Sequence, residues 1–212
     1  MRSVMRHEFS QTPTGNVPRS RFDRSHGHKT TFDFDYLIPV MLDEALPGDI
    51  MRLRTACIAR LATPLFPVMD NAYIDLHCWS IPWRLIWNNF KKFLGEQVDP
   101  GDSIDYTIPV LSPSTAVDTG HLGDYFGLPL GLVPSTTSVS CLPFRAYRFT
   151  YNEHYRDQNL IDSVDVVFDD GPDNNLETGY ASVPLKRGKR FDYFTQALPW
   201  PQKGDAVSLP LG

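Results

Sequence analysis

Residues 61–97 read LATPLFPVMDNAYIDLHCWSIPWRLIWNNFKKFLGEQ, and the hydrophobic period changes partway through this stretch. Apolar and polar residues alternate over residues 73–81, which predicts a strand. Pro82 ends that strand and fits the first turn of a helix, where its missing N–H is harmless. Apolar residues then recur at three- and four-residue spacing up to Leu94, and Gly95 suits the helix end. The stretch predicts a strand that runs directly into a short aromatic helix.

Period-two patterns predict further strands on both sides of this stretch. Over residues 51–61, apolar residues such as Met51 and Leu53 alternate with arginines such as Arg52, so one face is expected to be buried and the other charged. Residues 36–42 form a nearly continuous apolar run broken by a proline, which is typical of an edge or bulged strand. The remaining predicted strands lie at residues 103–111 and 163–168.

Helices and turns interrupt these strands. Aromatic residues recur at helical spacing over residues 144–155, which predicts a second amphipathic helix. Residues 112–140 are rich in Ser, Thr, Gly and Pro, and they predict a long surface excursion with one helical turn near residues 121–126. Pro-Gly turns are predicted at residues 46–49, of the type II kind, and at residues 99–102.

The composition narrows the class of protein. The 212 residues include 18 prolines, above the average share of roughly 5%, which favours short strands and irregular loops over a helical bundle. No apolar run reaches the roughly 18 residues of a transmembrane helix, so no membrane insertion is expected, and the N-terminus does not read as a secretory signal. Three widely spaced cysteines predict no disulfide framework and indicate a reducing compartment. Without a βαβ rhythm, the pattern predicts a mainly β fold, a jelly-roll antiparallel sandwich with helices and long loops inserted between strands.

The charge divides the chain into a basic N-terminal arm, residues 1–29, and a body, residues 30–212. The arm carries six bases against two acids, whereas the whole chain has a net charge of −5. Such a segment cannot bury enough apolar surface to fold alone. Either it contacts a polyanion, most simply nucleic acid, or it drapes over a neighbouring subunit. The six bases are Arg2, Arg6, Arg19, Arg21, Arg24 and Lys29.

No catalytic motif stands out, so we predict no catalytic, cofactor-binding or metal-binding residues. His26 and His28 are similar to the His-x-His metal pair of cupins, which are also jelly rolls. No Glu follows at the needed short spacing, where the chain has Phe32 and Asp33. A cupin-like metal-dependent enzyme that uses the two histidines is therefore kept only as an alternative.

Aromatic and basic clusters admit more than one interpretation. Trp83, Trp87 and Phe90 could form a base-stacking platform, but their helical spacing favours a core or a subunit interface. A carbohydrate-binding sandwich is a further alternative, and it requires Trp79, Trp83 or Trp87 to be exposed. The KRGKR cluster at residues 186–190 fits phosphate contact, a solvated loop or a salt-bridged subunit contact.

Several long strings of this chain resemble the major capsid protein of gokushoviruses, the small, tailless, single-stranded DNA phages of the family Microviridae. The resemblance covers nearly all of the chain. The strings are FDRSHGHKTTFDFDYLIPVMLDEALPGD at 22–49, RLATPLFPVMDN at 60–71, IPWRLIWNNFKKFLGEQ at 81–97, YNEHYRDQNLIDSV at 151–164 and LKRGKRFDYFTQALPWPQKG at 185–204.

The resemblance implies a non-enzymatic capsid protein that self-assembles into a T=1 icosahedral shell around a circular single-stranded DNA genome. It implies a virion protein assembled in the host bacterial cytoplasm, and it allows for a small basic DNA-binding protein and an internal scaffold as further partners. The six arm bases are then the expected genome contacts, and Trp83, Trp87 and Phe90 the expected subunit interface. Capsid proteins of this family are considerably longer, so we expect this chain to be an N-terminal fragment.

Overall fold

A computed structural model describes most of the chain between residues 18 and 198. The described residues are 15, 18–112, 116–133, 136–173, 183–188, 190–198, 204–205, 208 and 210. Among these, no helix is long and apolar enough to cross a membrane. Arg2 and Arg6 of the predicted arm lie outside the described residues.

Short helices and one small sheet make up the regular structure of this part of the chain. In order they are a 3₁₀ helix at Trp83–Leu85, α1 at Phe90–Phe93, β1 at Val110–Leu111, α2 at Leu122–Tyr125, β2 at Val139–Ser140, α3 at Leu142–Thr150 and a π-helical turn at Tyr151–Tyr155. β1 and β2 pair antiparallel, with Val110 opposite Ser140 and Leu111 opposite Val139. Few helices and a small antiparallel sheet are compatible with a mainly β fold.

The predicted aromatic helix is split into two pieces. The 3₁₀ helix and α1 are separated by residues 86–89, where the Asn88 backbone N–H donates to the Phe168 carbonyl oxygen at 2.9 Å. A bond to a distant segment thus replaces a bond within the helix. Gly95, just after α1, has a φ of +89°, which agrees with its predicted place at the helix end.

The other helical predictions are confirmed. α3 and the π-helical turn together span the aromatic pattern predicted over residues 144–155, and α2 lies within the helical turn predicted near residues 121–126. α3 begins two residues earlier than predicted because Pro143 occupies its first turn, where a missing N–H is tolerated. The turn at residues 46–49 is also confirmed, since Gly48 has a φ of +88° and the Asp49 N–H donates to the Leu46 carbonyl oxygen at 3.0 Å.

Most of the predicted strands have no ladder partner in the described chain. Of residues 103–111 only the last two belong to a strand. Every residue from 50 to 80 is exposed, although the alternation of apolar side chains predicted a buried face there. Alternation shows which side chains share a face, but it does not supply the second strand that a sheet requires. The predictions of strands at residues 36–42, 51–61, 73–81 and 163–168 are therefore wrong for this structure, in which these residues form no strand.

In the part of the chain that the structure describes, two apolar clusters form the core, and α3 contributes to both. One cluster contains Phe144 together with Leu111 of β1 and Leu122 of α2. The other contains Leu142 and Trp87, and it continues towards the 3₁₀ helix and α1. α3 can serve both clusters because residues two positions apart on a helix point in different directions.

A buried ion pair connects the segment around residues 169–173 to α3. Arg145 is 0% exposed, and its Nε and Nη2 donate to the two carboxylate oxygens of Asp173 at 2.8 and 2.7 Å. The Asp173 backbone N–H donates to the Val110 carbonyl oxygen at 2.8 Å. Gly171 allows this approach, since a Cβ there would lie 2.7 Å from the Cα of Pro109. The pair thus ties α3 to β1.

Candidate nucleic-acid contacts and interface residues

The described part of the basic arm lies exposed beside the turn at residues 46–49. Arg19 Nη1 donates to the carbonyl oxygen of Gly48 at 3.2 Å. Arg24 Nη1 lies 2.5 Å from the Asp43 carboxylate, whose side chain is only 12% exposed. These two contacts hold residues 19–24 against the body.

The arm bases differ in how far their charge is already offset. Arg24 faces Asp43, whereas Arg21 and Lys29 are exposed and have no hydrogen bond or ion pair with any described residue. An exposed base without a counter-charge is the better phosphate contact, because binding breaks no existing ion pair. Of the described bases, Arg21 and Lys29 are therefore the best placed to meet a polyanion.

A local turn precedes the two histidines of the arm. The hydroxyl and backbone N–H of Ser25 both donate to Asp23, and these hydrogen bonds hold the pKa of the Asp23 carboxyl below its usual value. His26 Nδ1 lies 2.9 Å from the carbonyl oxygen of Arg24. His28 is exposed, and in the described part of the chain no three His, Cys, Asp or Glu side chains converge as a metal site would require.

The three aromatic residues expected at a subunit interface occupy different environments. Trp87 is 2% exposed and packs within this chain against Ile86 and Leu142. Trp83 and Phe90 are partly buried and stack with ring centroids 6.4 Å apart. Only Trp83 and Phe90 keep surface that a neighbouring subunit could contact.

Asp170 fixes the orientation of the buried tryptophan. Its carboxylate accepts hydrogen bonds from Trp87 Nε1 at 2.7 Å, Asn89 Nδ2 at 3.0 Å and the Thr107 backbone N–H at 2.9 Å. Burial alone would raise the pKa of Asp170, but these three donors outweigh it and hold the pKa below its usual value. The aromatic cluster is therefore anchored by a charged acceptor.

A groove that the sequence did not predict lies between residues 77–79 and the π-helical turn. It is open to solvent, has a volume of about 400 Å³ and is lined by His77, Cys78, Trp79, His154, Tyr155 and Arg187. The Trp79 and His154 rings stack with centroids 4.0 Å apart and an interplanar angle of 13°. Trp79 Nε1 donates to the Tyr155 hydroxyl at 2.8 Å, and His77 Nδ1 lies 2.7 Å from the same oxygen. We name this set the aromatic groove.

Two arginines border the aromatic groove and share one carboxylate. Arg190 Nη2 and Arg187 Nη1 lie 2.5 and 2.6 Å from Asp75 Oδ2. Their hydrogen bonds, that of Arg190 first, hold the pKa of Asp75 below its usual value. In the sequence, this site could have been indicated only by the KRGKR cluster at residues 186–190 and by the alternation of His77 with Trp79. They are more than 100 residues apart, so the sequence could not show that they meet.

Comparison with known proteins identifies the family. Residues 10–212 match the family model described as Capsid protein (F protein). The capsid protein VP1 of Bdellovibrio phage phiMH2K is 45% identical over 207 residues, which cover 97% of this chain and 38% of that protein. The VP1 of Chlamydia phage 1 is 41% identical over 225 residues, covering 98% and 37%, and that of Spiroplasma virus 4 is 32% identical over 216 residues, covering 97% and 38%.

The chain spans under two-fifths of the length of these curated relatives. The matches confirm the resemblance to gokushovirus capsid proteins, and the names of the relatives agree with the prediction of a structural protein. The chain belongs to the capsid protein (F protein) family.

Proposed function

We propose that this chain is part of a shell-forming subunit of a small single-stranded DNA phage. Copies of the subunit assemble in the host bacterial cytoplasm into a T=1 icosahedral shell, and the virion encloses a circular genome. The proposed architecture is a jelly roll in which the basic arm, residues 1–29, precedes a body, residues 30–212. A small basic DNA-binding protein and an internal scaffold are proposed as further partners.

One observation carries the proposal beyond family membership, namely the exposed apolar surface between residues 50 and 80. Leu65 is 96% exposed, Phe66 80% and Met69 93%. Large exposed apolar patches mark surfaces that bind other polypeptide, and strand-like segments without partners are available for pairing. In an assembled shell these side chains would be covered, and the alternating segments would become strands of the proposed jelly roll.

A first prediction compares the two faces of residues 51–61. Leu53 lies on the apolar face and Ile58 on the face that carries the arginines. In the complete polypeptide, Leu53→Asp should abolish particle formation, because it places a charge where the proposed strand buries its apolar side. Ile58→Asp makes the same chemical change on the opposite face, which already carries Arg52, Arg54 and Arg60, and should leave particles intact. Particles are counted by electron microscopy after sedimentation.

Equal particle yields from the two variants would show that the alternation does not define a buried face. The absence of particles from the unmodified polypeptide, expressed with its phage partners, would overturn the capsid proposal as a whole. Both variants are first checked for soluble expression by size-exclusion chromatography.

The second part of the proposal is that the arm contacts the genome. Its support is the excess of bases in residues 1–29, together with the exposed and unpaired state of Arg21 and Lys29 among the described residues. Phosphate contacts of this kind depend on charge and salt and carry little sequence information. The alternative, an arm that drapes over a neighbouring subunit, predicts that its removal changes assembly but not DNA affinity.

Removal of residues 1–29 should therefore weaken single-stranded DNA binding and flatten its salt dependence. The Arg21→Ala, Lys29→Ala double variant should reduce the slope of log affinity against log salt by about 1.4, at roughly 0.7 for each phosphate contact. Arg24→Ala is the matched control, and it should change the slope less because Asp43 already offsets its charge. Fluorescence anisotropy over a salt series measures the slopes. Unchanged affinity and slope after removal of the arm would contradict genome contact.

A further inference from the structure

We propose that the aromatic groove binds a base of single-stranded nucleic acid by stacking on Trp79, with the neighbouring phosphate held by Arg187. The inference rests on the proposed function, because it assigns a second genome contact, on the body rather than on the arm. Its residues come from three segments that meet only in the folded chain, namely residues 75–79, residues 154–155 and the residues Arg187 and Arg190.

The first support is an aromatic face available for stacking. Trp79 is 46% exposed, and His154 covers one face of its indole ring. The rings of His77 and Tyr155 meet Trp79 edge-on, at interplanar angles of 83° and 90°, so no second ring among the described residues stacks on it. A base has a flat π-face whatever its identity, so such a ring accepts any unpaired base.

The second support is that hydrogen bonds fix the ring before any ligand binds. The Tyr155 hydroxyl accepts from Trp79 Nε1 and also contacts His77 Nδ1. The π-helical turn at Tyr151–Tyr155 supplies both His154 and Tyr155, so one local element positions the stacking partner and the hydrogen-bonding partner. Little side-chain ordering remains to be done on binding, which favours affinity.

The third support is positive charge beside the rings. Arg187 lines the groove, and Arg190 joins it through Asp75 and lies 4.7 Å from the centre of the Tyr73 ring. The two guanidinium groups against one carboxylate leave one net positive charge, although the chain as a whole is acidic. Asp75 holds both arginines in place, and their side chains remain 35% and 53% exposed. A phosphate could therefore approach without displacing the carboxylate.

The size and shape of the groove favour a single strand over a duplex. Its volume of about 400 Å³ falls in the range of roughly 300–1,000 Å³ that is usual for small-molecule sites, enough for one nucleotide. Bases in a duplex are stacked on both faces and cannot reach a ring in a groove, whereas unpaired bases can be splayed out onto aromatic side chains.

The test uses the complete polypeptide and two probes, an oligothymidylate and a sugar–phosphate oligomer of the same length without bases. Trp79→Ala should weaken binding of the oligothymidylate about tenfold and leave binding of the abasic oligomer unchanged, because only the stacking interaction is removed. Trp79→Phe keeps a ring and should recover most of the affinity. Arg187→Gln should weaken binding of both probes, while Arg84→Gln, an exposed arginine that does not line the groove, should affect neither.

Failure of this inference can be told apart from failure of the proposed genome contact. If Trp79→Ala binds both probes as the unmodified protein does, while removal of residues 1–29 still weakens both, the groove assignment is wrong and the arm contact stands. If Trp79→Ala lowers the unfolding midpoint or the particle yield without changing either affinity, the groove is covered by polypeptide and the inference is overturned. If the unmodified protein binds neither probe, both the groove inference and the proposed genome contact of the arm are overturned.

Discussion

Replacing Asp173 by alanine should lower the free energy of unfolding by about 3–5 kcal/mol, one of the two largest effects expected in this chain. The substitution removes the carboxylate that pairs with the Arg145 guanidinium, which is 0% exposed in the core. Its Nη1 would still donate to the Ile86 carbonyl oxygen at 3.2 Å, but a bond to a neutral carbonyl is weaker than the two charge-assisted bonds to the Asp173 carboxylate that are lost. Urea denaturation followed by circular dichroism measures the change.

An exposed ion pair provides the matched control. Asp75 pairs with Arg187 and Arg190 at the surface, where solvent screens the charges, so Asp75→Ala should lower the free energy of unfolding far less than Asp173→Ala does. The double replacement Arg145→Met, Asp173→Val should recover much of the loss in unfolding free energy, because a buried apolar pair of roughly the same combined volume needs no ionic partner. If Asp173→Ala and Asp75→Ala lowered the free energy of unfolding by similar amounts, the buried pair would not hold α3 to β1.

Trp87→Ala should lower the free energy of unfolding by about 3–5 kcal/mol through a different mechanism, the loss of a large buried ring. Trp87 is 2% exposed and packs against Ile86 and Leu142, and its ring also meets Phe90 and Phe93. The cavity that alanine leaves cannot close without moving the 3₁₀ helix or α1. Thermal and urea unfolding of the two proteins, compared by circular dichroism, give the difference.

Trp87→Phe separates packing from the hydrogen bond to Asp170. It keeps most of the apolar contacts and removes the indole donor, so we expect a smaller loss of about 1–2 kcal/mol. The pKa of Asp170 is held below its usual value, so its hydrogen bonds contribute fully above the pKa of an unfolded Asp and are lost as the pH falls through the lower pKa of the folded state. The difference in unfolding free energy between Trp87→Phe and the unmodified protein should therefore become smaller below about pH 4. A gap that does not depend on pH would mean that Asp170 contributes nothing through this bond.

Helices and turns could be predicted from the sequence because their hydrogen bonds are local. α3 follows the aromatic spacing of residues 144–155, and the turn at residues 46–49 follows its Pro-Gly pair. The split in the aromatic helix could not be predicted, since it depends on Phe168 and Asp170, which lie about 80 residues away. The same holds for Trp87, where helical spacing indicated an apolar face but not whether this chain or a neighbour covers it.

The sequence by itself determined where α2 and α3 lie, the turn at residues 46–49, the excess of bases in residues 1–29 and the capsid family. Only the tertiary structure decided that Asp173 meets Arg145 in the core and that Trp79, His154 and Arg187 line one groove. The physical reason is the range of the interactions. A helix closes its hydrogen bonds within four residues, whereas a strand, a buried ion pair or a groove takes its partner from any distance along the chain. A periodic pattern therefore indicates which side chains can share a face, and the folded chain decides whether another segment covers that face.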